Sequence, residues 1–83
     1  MKDENIYVFI RAKANYFGQM LEYSDTYSIG PSVSQDDIYE QLAKDMNEYF
    51  KDYLDGINPI TRPGIATMNE ISKELYDRLH QKH

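Results

Sequence analysis

Five acidic residues follow one side of a predicted helix in the middle of the chain. They are Asp37, Asp45, Glu48, Asp52 and Asp55. From the second of them onward, successive carboxylates are about 5 Å apart along the helix axis, a step comparable to that between phosphates on one DNA strand. Like charges at this spacing destabilise a helix slightly. We therefore expect the column to contact a partner, and a basic nucleic-acid-binding site on a protein would complement it. The alternative is an ordinary solvated helix face.

The charge balance of the chain supports a protein partner over direct nucleic-acid binding. Nine Lys and Arg residues against fourteen Asp and Glu residues give a net charge of −5, and residues 35–55 hold seven acids against two lysines. The imbalance therefore comes from that one segment. Broad DNA binding depends on Lys and Arg displacing counterions from phosphates. The acidic segment instead predicts a role as a DNA mimic that occupies the site of a nucleic-acid-binding host protein.

Residues for catalysis or metal binding are scarce. The chain has no cysteine, and its only histidines are His80 and His83, at the end of the sequence. Two histidines three residues apart still need a third ligand to hold a metal ion. The four glycines fall at predicted turns and helix ends and not in a phosphate-binding loop. The sequence predicts a protein that is not an enzyme, with no catalytic residue, no metal and no cofactor.

Aromatic residues suggest a second contact surface near the N-terminus. Tyr7 and Phe9 alternate with aliphatic residues, while Tyr16 and Phe17 fall at a predicted turn. Grouped exposed aromatics favour a protein contact or a dimer patch, unless the C-terminal helix covers the first two. An alternative function uses the same face, with Arg11 and Lys13 contacting phosphates and the aromatic rings stacking on bases of single-stranded nucleic acid.

Period-two patterns predict a β-hairpin with strands at about 5–14 and 19–29. A turn over residues 15–18 would pair Ala14 with Gln19 and place Arg11 opposite Glu22 as an ion pair. Asp25 would then fall opposite Val8, on the apolar face. Either the sheet extends beyond the core at that point, or a short third strand begins near residue 27.

Two helices are predicted after the hairpin. Ser34 and Asp37 form a capping box for an amphipathic helix over about 35–55, which Gly56 would close. A linker over 56–66 contains proline and glycine, and a second capping box, Thr67 with Glu70, would begin a shorter helix over about 67–80. On the wheel of the first helix, over about 35–55, Tyr39, Tyr49 and Tyr53 belong to the edge of the core.

The fold expected for residues 1–83 is one small α+β domain of ββαα order, with the hairpin packed on the long helix and both sheet edges open. Lack of cysteine and of an apolar leader favours a cytoplasmic protein. The composition is typical of small regulators and inhibitors encoded by phages or mobile elements. The expected function is thus non-enzymatic protein binding, and a homodimer joined through its sheet edges is a further alternative.

Overall fold

The computed structural model describes residues 4–81, which form a three-stranded antiparallel sheet and two helices. The elements in chain order are β1 (Ile6–Tyr16), β2 (Gln19–Ile29), α1 (Gln35–Tyr49), β3 (Gly64–Ile71) and α2 (Lys73–Leu79). The α+β class is confirmed. The predicted ββαα order is not, because a third strand lies between the two helices. Neither helix in the described part of the chain has the length and apolar character that a membrane crossing requires.

The hairpin of β1 and β2 closes through a two-residue turn. Phe17 and Gly18 both have positive φ angles, 51° and 87°, as a type I′ turn requires, and Tyr16 pairs with Gln19. The predicted register was therefore wrong by two residues. Because two residues is one full strand period, every side chain kept its predicted face.

The corrected register changes the cross-strand neighbours. Arg11 lies opposite Ser24, so the predicted pairing with Glu22 is wrong, and Lys13 takes that place. Asp25 lies opposite Ile10, which is fully buried, and not opposite Val8. An acidic side chain thus enters the apolar face beside the core, where it needs hydrogen-bond donors.

Strand β3 replaces the predicted start of the second helix. It pairs antiparallel with the free side of β1, from Tyr7 with Ile71 to Lys13 with Gly64, with one irregularity near Arg11. The strand order is β2-β1-β3, so β1 is central and its predicted open edge is filled. Local capping signals at residues 67–70 are weak against the ladder of hydrogen bonds that a long neighbouring strand offers.

Helix α1 begins where predicted and ends earlier. Ser34 Oγ accepts the Asp37 amide at 3.1 Å, and the Asp37 carboxylate accepts the Ser34 amide at 3.1 Å, which confirms the capping box. The helix ends at Tyr49, with Phe50 as its C-cap, and turns follow it. The predicted extension to residue 55 was wrong. Gly56 does have a positive φ of 82°, but within the loop that follows these turns.

The core lies between α1 and the face of the sheet that carries the even residues of β1. Its buried residues are Val8, Ile10, Ala12, Ala14, Leu21, Leu42, Met46 and Ile60. Leu42 and Met46 of the helix are fully buried. We call this side of the sheet the inner face.

Helix α2 covers part of the opposite, outer face. It begins after Ser72, whose hydroxyl accepts the Leu75 amide at 3.1 Å. The ring of Tyr76 lies 4.9 Å from the ring of Tyr7, and the His80 ring hydrogen-bonds the buried Thr26 hydroxyl. No residue of α2 is itself buried. This helix therefore shields Tyr7 without adding to the main core.

Candidate protein-binding surface

Exposed apolar side chains concentrate at the end of the molecule formed by the hairpin turn and the residues after α1. Within residues 4–81, five of the six most exposed large apolar side chains belong to this end: Ile57, Phe17, Tyr49, Met20 and Tyr53. We call these five, with Tyr16, the aromatic end. Phe17 is 75% exposed and Tyr49 is 69% exposed. Large clustered apolar groups of this kind mark interaction sites on soluble proteins.

Ring contacts join the aromatic side chains of this end in two separate sets. Tyr16 contacts Phe17 edge-on, with ring centroids 4.8 Å apart, and lies 6.5 Å from the ring of Tyr53. A second set begins at Tyr23 of β2, whose ring lies 5.3 Å from that of Tyr49. Such pairs are worth about 0.5–1.5 kcal/mol each beyond the area they bury. The exposed rings are therefore restrained before any partner binds.

Asp55 connects the hairpin to the turns that follow α1. Its Oδ1 accepts the Tyr16 hydroxyl at 3.0 Å, the Ile57 amide at 2.9 Å and the Asn58 amide at 2.8 Å. The Asn58 backbone and side-chain donors, followed by the Ile57 amide, hold the pKa of the Asp55 carboxyl well below its usual range. Asp55 thus stays ionised, and it fixes Tyr16 and Ile57 on the same side of the molecule.

The predicted acidic column is divided among several structural settings. Asp37 caps α1. Asp45 accepts hydrogen bonds from the Tyr27 hydroxyl at 2.6 Å and from the side-chain amide of Gln41 at 3.0 Å. Asp52 and Asp55 lie beyond the end of the helix. The five carboxylates therefore do not follow one helix face at a regular step, although Glu48, Asp52 and Asp55 all lie beside the aromatic end in sequence and are exposed.

Two tyrosine–carboxylate pairs lie beside the core, one within β2 and one, Tyr27 with Asp45, between β2 and α1. Tyr23 donates to Asp25 at 3.0 Å, and Asp25 also accepts the Thr26 amide at 2.7 Å. Burial, followed by the hydrogen bond to Asp25, raises the pKa of Tyr23 to about 12. Burial and then Asp45 raise the pKa of Tyr27 as well. Both hydroxyls stay neutral at physiological pH and serve as donors to carboxylates, which satisfies the acids that the sequence places beside the core.

The outer face of the sheet is divided between covered and exposed residues. Tyr7 and Phe9, predicted as a contact patch, are half-buried, and Tyr7 contacts Tyr76. Arg11 and Lys13 are exposed beyond α2. The structure thus separates the four predicted patch residues, because only Tyr16 and Phe17 belong to the aromatic end.

Sequence reasoning missed part of this surface. Tyr49 and Tyr53 were assigned to the edge of the core because the apolar arc of the predicted helix continues past them, but the helix ends at Tyr49. Ile57 lies in a loop between Gly56 and Pro59. An isoleucine among turn residues was the available signal, since such a loop offers little surface to bury it.

The predicted histidine pair gains no further metal ligand in the part of the chain that the structure describes. Residues 4–81 contain no group of three or more His, Asp or Glu side chains placed to hold a metal ion. His80 contacts Tyr76 and Thr26, and His83 lies outside the described residues.

Comparisons with protein families, with curated proteins and with solved structures found no match to this chain.

Proposed function

We propose that this protein is a non-catalytic regulator or inhibitor that binds another protein through the aromatic end. The observation that carries the proposal is the clustering of the most exposed apolar side chains at that one end. Aromatic anchors surrounded by polar groups are typical of the residues that dominate binding energy at interfaces. Restraint of the rings by their mutual contacts lowers the entropy lost on binding.

The proposed partner presents a basic surface, of the kind that nucleic-acid-binding proteins use for phosphates. Glu48, Asp52 and Asp55 adjoin the exposed rings along the chain, and none of them is buried. Carboxylates at the margin of an apolar contact speed association with a basic partner and select it. In this form of the proposal the acids act as a charged rim and not as a regular imitation of a phosphate backbone.

Affinity capture from a bacterial lysate, followed by binding measurements with the purified captured protein, tests this function. Phe17→Ser should weaken the complex by at least about 30-fold, because a central aromatic anchor is worth about 2 kcal/mol or more. The matched control is Leu79→Ser, since Leu79 is 57% exposed at the other end of the chain. Equal affinities for both variants and the unmodified protein would refute the aromatic end as the binding surface.

Charge reversal tests the nature of the partner separately. The double variant Glu48→Lys, Asp52→Lys should slow association and flatten its dependence on salt concentration. Glu70→Lys combined with Glu74→Lys, exposed changes on β3 and α2, is the control for the same change in net charge. If the double variant and the control behave alike, the partner surface is not basic.

A further inference from the structure

Strand β2 forms an edge of the sheet and has a row of outward-facing backbone groups. In a hairpin with a two-residue turn, the residues that flank the turn exchange hydrogen bonds. The pair here is Tyr16 with Gln19, so the odd residues of β2 bond to β1 and the even residues face away from the sheet. Thr26 is one of these even residues, and its backbone amide donates to the Asp25 carboxylate and not to β1.

The outward row is interrupted at Thr26 and is free between Thr26 and the hairpin turn. Asp25 occupies the amide of Thr26, and Thr26 is itself 6% exposed beside His80. Met20, Glu22 and Ser24 are exposed. The accessible part of the edge is therefore the five-residue stretch from Met20 to Ser24, which adjoins the aromatic end.

A cavity of about 310 Å³ lies along this same stretch. Tyr23 and Tyr49 line it from the inner face, while Arg11, Lys13 and Glu22 line it from the outer face. A strand added here would place its side chains alternately on these two faces. One side chain would face Glu22, and its two neighbours in sequence would lie on the inner face, one opposite Tyr23 and the other opposite Leu21.

Charge argues against a second copy of this chain as the added strand. A two-fold antiparallel pairing that uses all three outward-facing residues must be centred on Glu22. It would place the Glu22 carboxylates of the two copies directly opposite each other, and like charges in that position are destabilising. A foreign strand with a basic residue at the central position would instead place opposite charges across the new pairing, on the side of Glu22 away from its β1 neighbour Lys13.

We propose that the β2 edge from Met20 to Ser24 accepts an extended segment of a partner protein by β-strand addition, with a basic residue opposite Glu22 and apolar residues opposite Leu21 and Tyr23. Backbone hydrogen bonds would supply affinity, and the alternating side chains would supply specificity. This inference rests on the proposed function, for which it specifies how the partner binds.

Two synthetic pentapeptides test the inference, Thr-Val-Lys-Val-Thr and Thr-Val-Glu-Val-Thr. Titration into the ¹⁵N-labelled full chain should shift the amide resonances of Glu22 and Ser24 and slow their hydrogen exchange. The lysine peptide should bind up to about fivefold more tightly, as expected for one cross-strand charge pair. Glu22→Lys should reverse the order of the two peptides.

Ser24→Pro removes an outward-facing amide, and edge strands tolerate proline at such positions. It should abolish the shifts, whereas Ser28→Pro, outside the free stretch on the same strand, should preserve them. The Glu22→Lys reversal keeps the inference falsifiable if a proline variant fails to fold.

Three outcomes would overturn the inference. The first is an absence of shifts at Glu22 and Ser24 with either peptide. The second is equal affinity for both peptides, and the third is a concentration-dependent shift of the same amides without peptide, which would indicate a second copy at the edge. Each leaves the proposed function standing if Phe17→Ser still disrupts the captured complex. Failure of the proposed function would instead be shown by equal affinities of Phe17→Ser, Leu79→Ser and the unmodified protein for the captured partner.

Discussion

The two faces of the sheet are packed in different ways, although the same strand, β1, supplies the centre of both. On the inner face Val8 and Ile10 are at most 2% exposed, and they pack with the fully buried Leu42 and Met46 of α1. On the outer face α2 contributes no buried residue and is held by ring contacts and one hydrogen bond. Most of the stability of the fold therefore comes from the inner face.

This difference bears on function because the aromatic end is attached to the stable side. Tyr49 is the last residue of α1, and Tyr16 packs against the core cluster. A contact surface built on a well-packed element loses less entropy when it binds. Helix α2, in contrast, can open locally without disturbing the core, since few buried contacts hold it.

The largest expected effect comes from Leu42→Ala, which removes a fully buried side chain from the inner face. We expect a loss of about 2–5 kcal/mol in the free energy of unfolding, from lost burial and from the cavity left behind. Urea denaturation measures it. Leu79→Ala on the exposed surface of α2 is the control and should cost less than about 0.5 kcal/mol. Similar costs for the two variants would contradict the difference between the faces.

Asn47→Ala should be the next most damaging change. Its side-chain amide donates to the carbonyls of Ala43 and Ile60, both at 2.8 Å, and its oxygen accepts the Ile60 amide at 2.9 Å. Truncation leaves the backbone groups of a buried residue unpaired, at a cost of about 1–3 kcal/mol. Hydrogen exchange at Ile60 should accelerate more than at Ile10. Asn47→Asp keeps only the acceptor, so its rate of hydrogen exchange at Ile60 should lie between those of the unmodified protein and Asn47→Ala. An unchanged exchange rate at Ile60 in Asn47→Ala would show that Asn47 does not hold this loop.

Alkaline pH should weaken the contact between β2 and α1. Burial and the Asp25 hydrogen bond raise the pKa of Tyr23 from 10.0 to about 12, and burial with Asp45 raises that of Tyr27. In the unfolded chain both ionise near their ordinary value. This stabilisation is therefore complete below about pH 10 and is lost as the pH rises toward about 12.

Denaturation midpoints measured across this range, with tyrosinate absorbance followed in parallel, test the pH effect. Tyr23 and Tyr27 should ionise above the ordinary tyrosine pKa, and only as the protein unfolds. Tyr27→Phe should reduce the loss of stability with pH. Ionisation of Tyr23 and Tyr27 near the ordinary tyrosine pKa, with no change in the denaturation midpoint, would remove the prediction.

Tyr76→Ala should have the smallest effect on global stability, because α2 adds no buried residue. Loss of its ring contact with Tyr7 should cost about 0.5–1.5 kcal/mol beyond the area exposed. Hydrogen exchange should accelerate in α2 and leave β1 protected. A cooperative loss of protection in both would mean that the outer face belongs to the same folding unit as the core, and the comparison would fail.

Local patterns in the sequence predicted the parts of the fold that short-range physics controls. Alternation of apolar and polar residues assigned the faces of β1 and β2 correctly, and the capping box at Ser34 placed the start of α1. The register was wrong because the turn contains Phe17 in a left-handed conformation, which bulky residues adopt infrequently. The amphipathic arc past Tyr49 gave no indication of where the helix ends.

The candidate surface was predicted only in part for related reasons. Phe17 lies in the hairpin turn as predicted, whereas Tyr16 is the last residue of β1 and flanks the turn. The acids were predicted as one column because a single helix was assumed through residue 55. Asp45 and Asp55 instead accept hydrogen bonds from Tyr27 and Tyr16, partners that are distant in sequence and that no helical wheel includes.

By itself the sequence determined the α+β class, the two faces of the hairpin and the beginning of α1, because periodicity and capping act over a few residues. Tertiary structure alone decided that residues 64–71 become a strand, since their mostly exposed side chains carry little pattern and their backbone pairs with β1. It also decided that α2 covers Tyr7. The position of the chain after α1, tied to the hairpin through Asp55 and Tyr16, then brought the exposed rings to one end.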